Sequence, residues 1–166
     1  KREAYEARGF DLEQIARDYV DVLNRVIEWK PEDLVVNMHI CRGNFRSTWF
    51  SSGGYEPVAK TLFGHCRVDG FFLEYDSDRA GDFTPLRYIK DQKVVLGLIT
   101  SKSGDLEDKG EVIARIKEAS QYVPLEQLCL SPQCGFSSTE EGNILTIEAQ
   151  WDKLKLIDEI VHEVWG

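Results

Sequence analysis

Hydrophobic and polar residues along the chain follow two different spacings. Over residues 10–29 apolar side chains recur every three or four positions, which predicts an amphipathic helix that ends before Pro31. Residues 34–40 then form an apolar, β-branched run with the composition of a buried strand. Each of these two patterns returns further along the chain.

The alternation of strand and helix continues to the end of the sequence. Further apolar runs predict strands at residues 70–75, 94–100 and 128–130. Helical spacing predicts helices at residues 56–63, 111–122 and 147–164. Strands joined through helices run parallel, and four such units amount to half of a (β/α)₈ barrel, whose usual length is about 250 residues. We therefore expect an α/β fold, either a half-barrel or, if the chain is complete, an open sheet, with residues 1–166 as a single partial domain.

Composition narrows the classes of partner. Acidic residues outnumber basic ones by 29 to 20, for a net charge of -9, and no basic patch offsets the repulsion of a polyanion. No apolar run approaches the roughly 18 residues that span a bilayer, and no signal-peptide core stands near the start. We expect a cytoplasmic protein that binds neither nucleic acid nor membrane. Its four cysteines are then better interpreted as free thiols or metal ligands than as disulfides.

Side chains of the kinds that bind metals follow the predicted strands. His39 and Cys41 end the first strand, and residues i and i+2 of an extended chain point to the same side. Glu74 ends the second strand, and Cys134 follows the fourth. Because parallel strands deliver their C-terminal ends to one edge, we expect these side chains to converge. Imidazole, carboxylate and two thiolates together favour Zn²⁺ over Mg²⁺ or Ca²⁺.

Several of these residues also have a simpler interpretation. Taken alone, His39 is a hydrogen-bonded core histidine and Glu74 an ordinary charge at a strand end. Arg42 and Asn44, directly after the His-x-Cys segment, are either solvated loop residues or groups that orient the metal ligands. Cys129, inside the fourth strand, is expected to be a small core residue rather than a ligand.

Three segments of the chain resemble the zinc-binding segments of the cobalamin-independent methionine synthases. They are Met-His-Ile-Cys at 38–41, Phe-Leu-Glu at 72–74 and Ser-Pro-Gln-Cys-Gly at 131–135. Over residues 10–165 the chain is similar to the C-terminal half of the shorter bacterial single-barrel proteins related to those enzymes. The resemblance implies that the fold is the C-terminal half of a (β/α)₈ TIM barrel.

The same resemblance implies a metal and a reaction. It implies that Zn²⁺ is held by His39, Cys41, Glu74 and Cys134. It further implies a methyltransferase that moves a methyl group from 5-methyltetrahydrofolate, as its polyglutamate, to the zinc-bound thiol of homocysteine, giving methionine. The family's groups for the amino-acid end of homocysteine, and most of its folate contacts, belong to the first half of the barrel. The 166-residue chain alone is therefore expected to be catalytically incomplete.

One loop departs from the pattern of the longer enzymes. They carry a histidine, thought to transfer a proton, in the loop after the next strand, and Lys102 stands at about that place here. Lys102 is therefore a candidate catalytic residue. The departure leaves the methyl donor open, and a methylated corrinoid is an alternative to methyltetrahydrofolate.

A further alternative assigns no catalysis to the chain. The two outer strands of a half-barrel carry unpaired N–H and C=O groups, which can pair with another chain. On this interpretation the protein is an inactive half-barrel that self-associates through its sheet edges.

Overall fold

The structure is a computed structural model, and it describes residues 2–166. Helices occupy Arg2–Glu6 (α1), Leu12–Ile27 (α2), Glu56–His65 (α3), Lys109–Ala119 (α4) and Ile147–Trp165 (α5). Strands occupy Asn37–Ile40 (β1), Gly70–Glu74 (β2), Lys93–Ile99 (β3) and Leu128–Pro132 (β4). None of the helices within the described residues is long and apolar enough to cross a membrane.

The four strands form one sheet in the order β1-β2-β3-β4, and every neighbouring pair is parallel. This confirms the predicted α/β class of four parallel strands alternating with helices, the arrangement of half a (β/α)₈ barrel. One connection differs from the repeating pattern, because residues 75–92 between β2 and β3 contain two short 3₁₀ helices and no α-helix. All four strands nevertheless end at the same edge of the sheet.

Side-chain caps fix where α2 and α4 begin. The Asp11 carboxylate accepts hydrogen bonds from the backbone N–H groups of Glu13 and Gln14, so α2 starts at residue 12. Asp108 caps α4 in the same way through the N–H of Glu111, and α4 therefore starts two residues before the predicted position. Apolar spacing locates a helix, whereas the cap determines its first residue.

The core lies between the sheet and the helices on one of its faces. Alternate residues of β2 and β3 are buried there, among them Phe71, Leu73, Val94 and Leu96. On the other face Phe72 is 36% exposed. Within residues 2–166, therefore, helices cover only one face of the sheet, and the second face is open.

The predicted first strand was too long and too buried. Only Asn37–Ile40 is a strand, and Leu34 and Val35 are 49% and 68% exposed. The physical reason is that β1 is an outer strand, which pairs with β2 alone among the described residues. A β-branched apolar run does not distinguish a central strand from an edge strand.

Candidate metal centre

Four side chains of ligand type meet at the C-terminal edge of the sheet. The ligand atoms of His39, Cys41, Glu74 and Cys134 all lie within 4.8 Å of one another. His39 Nε2 is 3.4 Å from Glu74 Oε1, and the two cysteine Sγ atoms are 3.1 Å apart. The Cys134 thiol also donates to Glu74 Oε1. The structure thus brings together the residues that were expected to converge, while their role as metal ligands stays a prediction.

Strand register explains how β1 and β2 place their ligands. His39 pairs with Phe72 and Ile40 with Leu73. Cys41 and Glu74, the residues that follow Ile40 and Leu73, therefore lie at the same level of the sheet. The two ligands of the first segment and the carboxylate of the second meet because the strands are parallel and in this register.

A glycine in β3 lets the fourth ligand approach. Gly97 pairs with Glu74 on one side and with Ser131 on the other, so it lies between the ligand-bearing ends of β2 and β4. A Cβ at Gly97 would stand 2.9 Å from the carbonyl oxygen of Leu73 and 3.4 Å from that of Pro132. Because Gly97 has no side chain, the backbones of β2 and β4 can lie close to it, and any side chain at this position would disturb that packing. Sequence analysis missed this residue, although a glycine inside a strand is a signal of close backbone approach.

Glu74 is the buried centre of the cluster. Its side chain is removed from solvent, and its Oε2 accepts a hydrogen bond from the backbone N–H of Arg42 at 3.1 Å. The Tyr55 hydroxyl accepts from the N–H of Glu74 and donates to its carbonyl oxygen. Burial opposes the carboxylate charge, yet hydrogen bonds from His39 and Cys134 and the charge of Lys102 hold the pKa of Glu74 below its ordinary value.

The two thiols have different environments. Burial, followed by hydrogen bonds to Glu74 and Cys41, raises the pKa of Cys134. Burial also favours the protonated form of Cys41. Hydrogen bonds from Cys134, from the Gly43 N–H at 3.1 Å and from His39 outweigh that effect and lower the pKa of Cys41. The hydrogen bond to Glu74 raises the pKa of His39 against the effect of burial. A metal ion bound by these side chains would displace the protons that its ligands carry.

The donor set and its spacing fit Zn²⁺. Zinc with bonds of about 2.3 Å to sulfur and about 2.0–2.2 Å to nitrogen or oxygen holds tetrahedral ligands about 3.3–3.8 Å apart. The 3.4 Å between His39 Nε2 and Glu74 Oε1 agrees with that spacing. The two sulfurs, at 3.1 Å, need only a small separation to reach it. Two thiolates in the set disfavour the hard cations Mg²⁺ and Ca²⁺.

Arg42 and Asn44 are buried, at 7% and 8% exposure, rather than solvated. The Asn44 amide donates to the carbonyl oxygen of Gly135 at 3.0 Å and to the Ser138 hydroxyl at 2.8 Å. The guanidinium of Arg42 lies 4.4 Å from the centre of the Tyr55 ring and donates to a loop carbonyl. Asn44 therefore connects the loop after Cys41 to the loop after Cys134.

Lys102 lies next to this centre but outside the cluster. Its ammonium donates to the Gln133 side-chain oxygen at 3.0 Å, and Gln133 directly precedes Cys134. Cys129 is also outside the cluster, and it is partly exposed on the open face of the sheet, level with Val95. The prediction that Cys129 is a core residue was wrong, because alternate residues of β4 face opposite sides and Leu128 takes the buried side.

A cleft of about 370 Å³ adjoins two of the four side chains, those of His39 and Cys134. His39 and Cys134 form one part of its wall, and Phe72, Pro132 and Gln133 form another. A small molecule in this cleft would lie directly beside the two cluster residues.

This chain is similar over nearly all of its length to known bacterial proteins. No protein-family model matches it. The uncharacterized protein YxjH of Bacillus subtilis is 54% identical over 166 residues, which is 99% of this chain and 44% of that protein. A Listeria monocytogenes protein provisionally assigned as a vitamin-B12-independent methionine synthase is 48% identical in its crystal structure, with a TM-score of 0.73; the match covers 95% of this chain and 43% of that one. The methionine synthase of Pyrococcus horikoshii is 23% identical over 116 residues, 70% of this chain and 30% of that protein.

These matches extend the resemblance well beyond three short segments. The two strongest cover nearly all of the chain, whereas the chain spans less than half the length of each relative. The fold and the sequence therefore agree on the same group of proteins. The chain is a relative of the cobalamin-independent methionine synthases, and it matches a part of their longer chains.

Proposed function

We propose that this chain is the metal-binding part of a zinc-dependent methyltransferase. In the full-length protein that carries it, a methyl group passes from 5-methyltetrahydrofolate, as its polyglutamate, to the thiol of homocysteine and gives methionine. The observation that carries this proposal is the convergence of His39, Cys41, Glu74 and Cys134 within 4.8 Å, in a relative of the methionine synthases. Because the chain spans less than half of its relatives, the complete reaction is proposed for the full-length protein.

The residues of this chain prepare the centre for a thiol. Zn²⁺ held by them would supply a positive charge that converts a bound thiol into a thiolate at neutral pH. The backbone N–H of Arg42 donates a hydrogen bond to Oε2 of Glu74, which leaves Oε1 to face the other ligands. The N–H of Gly43 donates to Cys41 Sγ and stabilises its thiolate form.

Lys102 supports a second candidate for the methyl donor. Tetrahydrofolate leaves with a nitrogen that takes up a proton, and Lys102 stands where the longer enzymes carry a histidine for proton transfer. Lysine and histidine differ in how readily they exchange a proton near neutral pH. A methylated corrinoid gives up its methyl group without needing a proton, so this donor is compatible with lysine at position 102.

Metal analysis tests the first part of the proposal on the 166-residue chain. We expect close to one Zn²⁺ per chain in the wild type and in the control variant Cys129→Ser. We expect a large loss of zinc in Cys41→Ser and Cys134→Ser, each checked for folding by circular dichroism. A wild-type content far below one, unchanged in every variant, would contradict the metal centre and favour the inactive half-barrel.

Methyl transfer tests the second part on the full-length protein. Homocysteine is supplied with either methyltetrahydrofolate polyglutamate or a methylcorrinoid, and methionine is measured. We expect activity with the folate donor, lost in Cys41→Ser and Cys134→Ser and retained in Cys129→Ser. If only the methylcorrinoid supports activity, the methyl donor is the corrinoid and not the folate. An equal loss of activity in all three variants, with folding unchanged, would contradict the ligand assignment.

A further inference from the structure

The side chain of Asn143 joins three of the loops at the edge of the sheet that carries the candidate metal centre. Its oxygen accepts a hydrogen bond from the N–H of Ser47 at 3.1 Å, and its amide nitrogen donates to the carbonyl oxygen of Ser101 at 2.6 Å. Asn143 itself belongs to the loop between β4 and α5. One partly buried side chain therefore connects the loops that follow β1, β3 and β4.

The backbone at Ser47 has a conformation that residues other than glycine rarely adopt. Arg46 and Ser47 have φ angles of 47° and 63°, and they are the central residues of a tight turn closed by backbone hydrogen bonds of 2.9 and 3.1 Å. Left-handed backbone is unfavourable for a residue with a Cβ and persists where surrounding contacts hold it. Two such contacts come from the loop after β4: Ser47 donates its N–H to Asn143, and its hydroxyl accepts from the N–H of Ile144 at 2.9 Å.

Two of the loops that Asn143 joins carry the cysteines of the cluster. Cys41 follows β1 and Cys134 follows β4, and within residues 2–166 these strands are the two outer strands of the sheet and do not pair with each other. Strand pairing therefore does not set the distance between the two sulfurs directly. Contacts between the loops act on it instead: Asn44 binds the loop after Cys134 at Gly135, and Asn143 joins the same two loops at a second place.

We propose that Asn143 is a positioning residue of the metal centre, which holds the loops after Cys41 and Cys134 at the separation that two zinc-bound thiolates require. The inference rests on the metal centre of the proposed function and adds to it a residue from outside the cluster. Asn143 acts through the turn at Ser47 and through the backbone of the loop after Cys134. Without Asn143 the two sulfurs can move apart, so the site should lose affinity for Zn²⁺ and be less affected in its affinity for Cd²⁺, a larger soft cation.

The test measures the dissociation constants of the 166-residue chain for Zn²⁺ and Cd²⁺, each by competition with a chelator. We expect Asn143→Ala to weaken the binding of Zn²⁺ about tenfold and the binding of Cd²⁺ much less. Ser47→Ala removes only the hydroxyl group that accepts from Ile144. It should change the ratio of the two constants in the same direction by a smaller factor.

The matched control is Asn24→Ala. Asn24 makes the same two kinds of bond as Asn143, because its amide donates to the carbonyl oxygen of His65 and accepts from the N–H of Arg67, both at 2.8 Å. It joins α2 to the connection between α3 and β2, at the opposite edge of the sheet from the metal centre. We expect a similar fall in the urea midpoint for Asn24→Ala and Asn143→Ala, and unchanged affinities for both cations in Asn24→Ala.

Three results would overturn the inference: unchanged binding of Zn²⁺ in Asn143→Ala, an equal loss for both cations in that variant, or the same change of ratio in Asn24→Ala. An equal loss for both cations is what a purely structural role predicts, because a less stable chain binds every cation less tightly. If Asn143→Ala does not fold, an unchanged ratio in Ser47→Ala overturns the inference. Failure of the proposed function has a different signature, since the wild-type chain would then bind neither cation.

Discussion

The hydroxyl group of Tyr55 binds both backbone polar groups of Glu74, accepting from its N–H at 2.9 Å and donating to its carbonyl oxygen at 3.2 Å. β1 ends at Ile40 and offers no strand partner at the level of Glu74. Tyr55 therefore takes the place of a neighbouring strand at the point where the proposed carboxylate ligand leaves the sheet.

Tyr55→Phe should weaken the fold and the metal centre together. It leaves the buried N–H and C=O of Glu74 unpaired, so we expect the free energy of unfolding to fall by about 2 kcal/mol. Zinc affinity, measured by competition with a chelator, should fall as well. Tyr19→Phe, at an exposed position of α2, is the control, and equal behaviour of the two variants would contradict the role of Tyr55.

Gly97→Ala should be destabilising although the change is one methyl group. Its Cβ would stand 2.9 Å from the Leu73 carbonyl oxygen, and the strands would have to separate. We expect a loss of about 1–3 kcal/mol in urea unfolding, with weaker zinc binding. Gly64→Ala in α3 meets no atom within 4 Å and should be neutral or stabilising. The idea fails if the two alanine variants are equally stable.

Lys153 should be essential for the attachment of α5. Its side chain is fully buried, and its ammonium contacts both Glu107 carboxylate oxygens, at 3.0 and 3.1 Å, and the carbonyl oxygen of Asp105. Lys153→Met leaves the Glu107 carboxylate without its cation, so we expect a loss of about 3 kcal/mol. Lys155→Met on the exposed side of the helix should change the stability by less than about 0.5 kcal/mol. Similar unfolding curves for the two variants would refute the prediction.

Zinc should protect the exposed Cys41 thiol from alkylation. Cys41 is exposed and should react with iodoacetamide in the metal-free chain, whereas Cys66 is 1% exposed and burial raises the pKa of its thiol. A raised pKa leaves less thiolate at neutral pH, so Cys66 should stay slow with or without metal. Peptide mass spectrometry should show that zinc slows the labelling of Cys41 and leaves that of Cys129 unchanged. Labelling of Cys41 that is indifferent to zinc would count against its place in the centre.

The outer strand should make the isolated chain self-associate. Leu34 and Val35 are exposed directly before β1, whose outer side has no partner among residues 2–166. Sedimentation velocity should show a fraction of dimer that increases with protein concentration. Val35→Asp should lower that fraction. Val22→Asp, on the exposed face of α2, should leave the dimers intact. A monomer at every concentration would contradict the proposal. If only Val22→Asp lowers the fraction of dimer, the contact lies on α2 and not on β1.

The sequence predicted what depends on local pattern and strand direction. His39 and Cys41 share a strand end, and parallel strands bring Glu74 to the same edge, so their meeting needs no knowledge of packing. Tyr55 could not be found this way, because its contact with Glu74 depends on how α3 crosses back to the sheet.

Other misses have their own physical reasons. Lys153 lies three residues before Leu156 and seven before Ile160, on the apolar side of α5, and this spacing was an available signal that its charge is buried. The burial of residues 34–36 was overestimated because composition does not reveal whether a strand has one neighbour or two. Gly97 was recognisable as an unusual strand residue, but its purpose required the register of β2, β3 and β4.

The 3.1 Å between the sulfurs of Cys41 and Cys134 also describes the curvature of the sheet. These residues follow β1 and β4, which in a flat sheet would be about 14 Å apart, at about 4.8 Å per strand. The edge that carries them must therefore curl until its two corners meet. An ion bound between them would tie the first strand to the last and so oppose any flattening of the sheet.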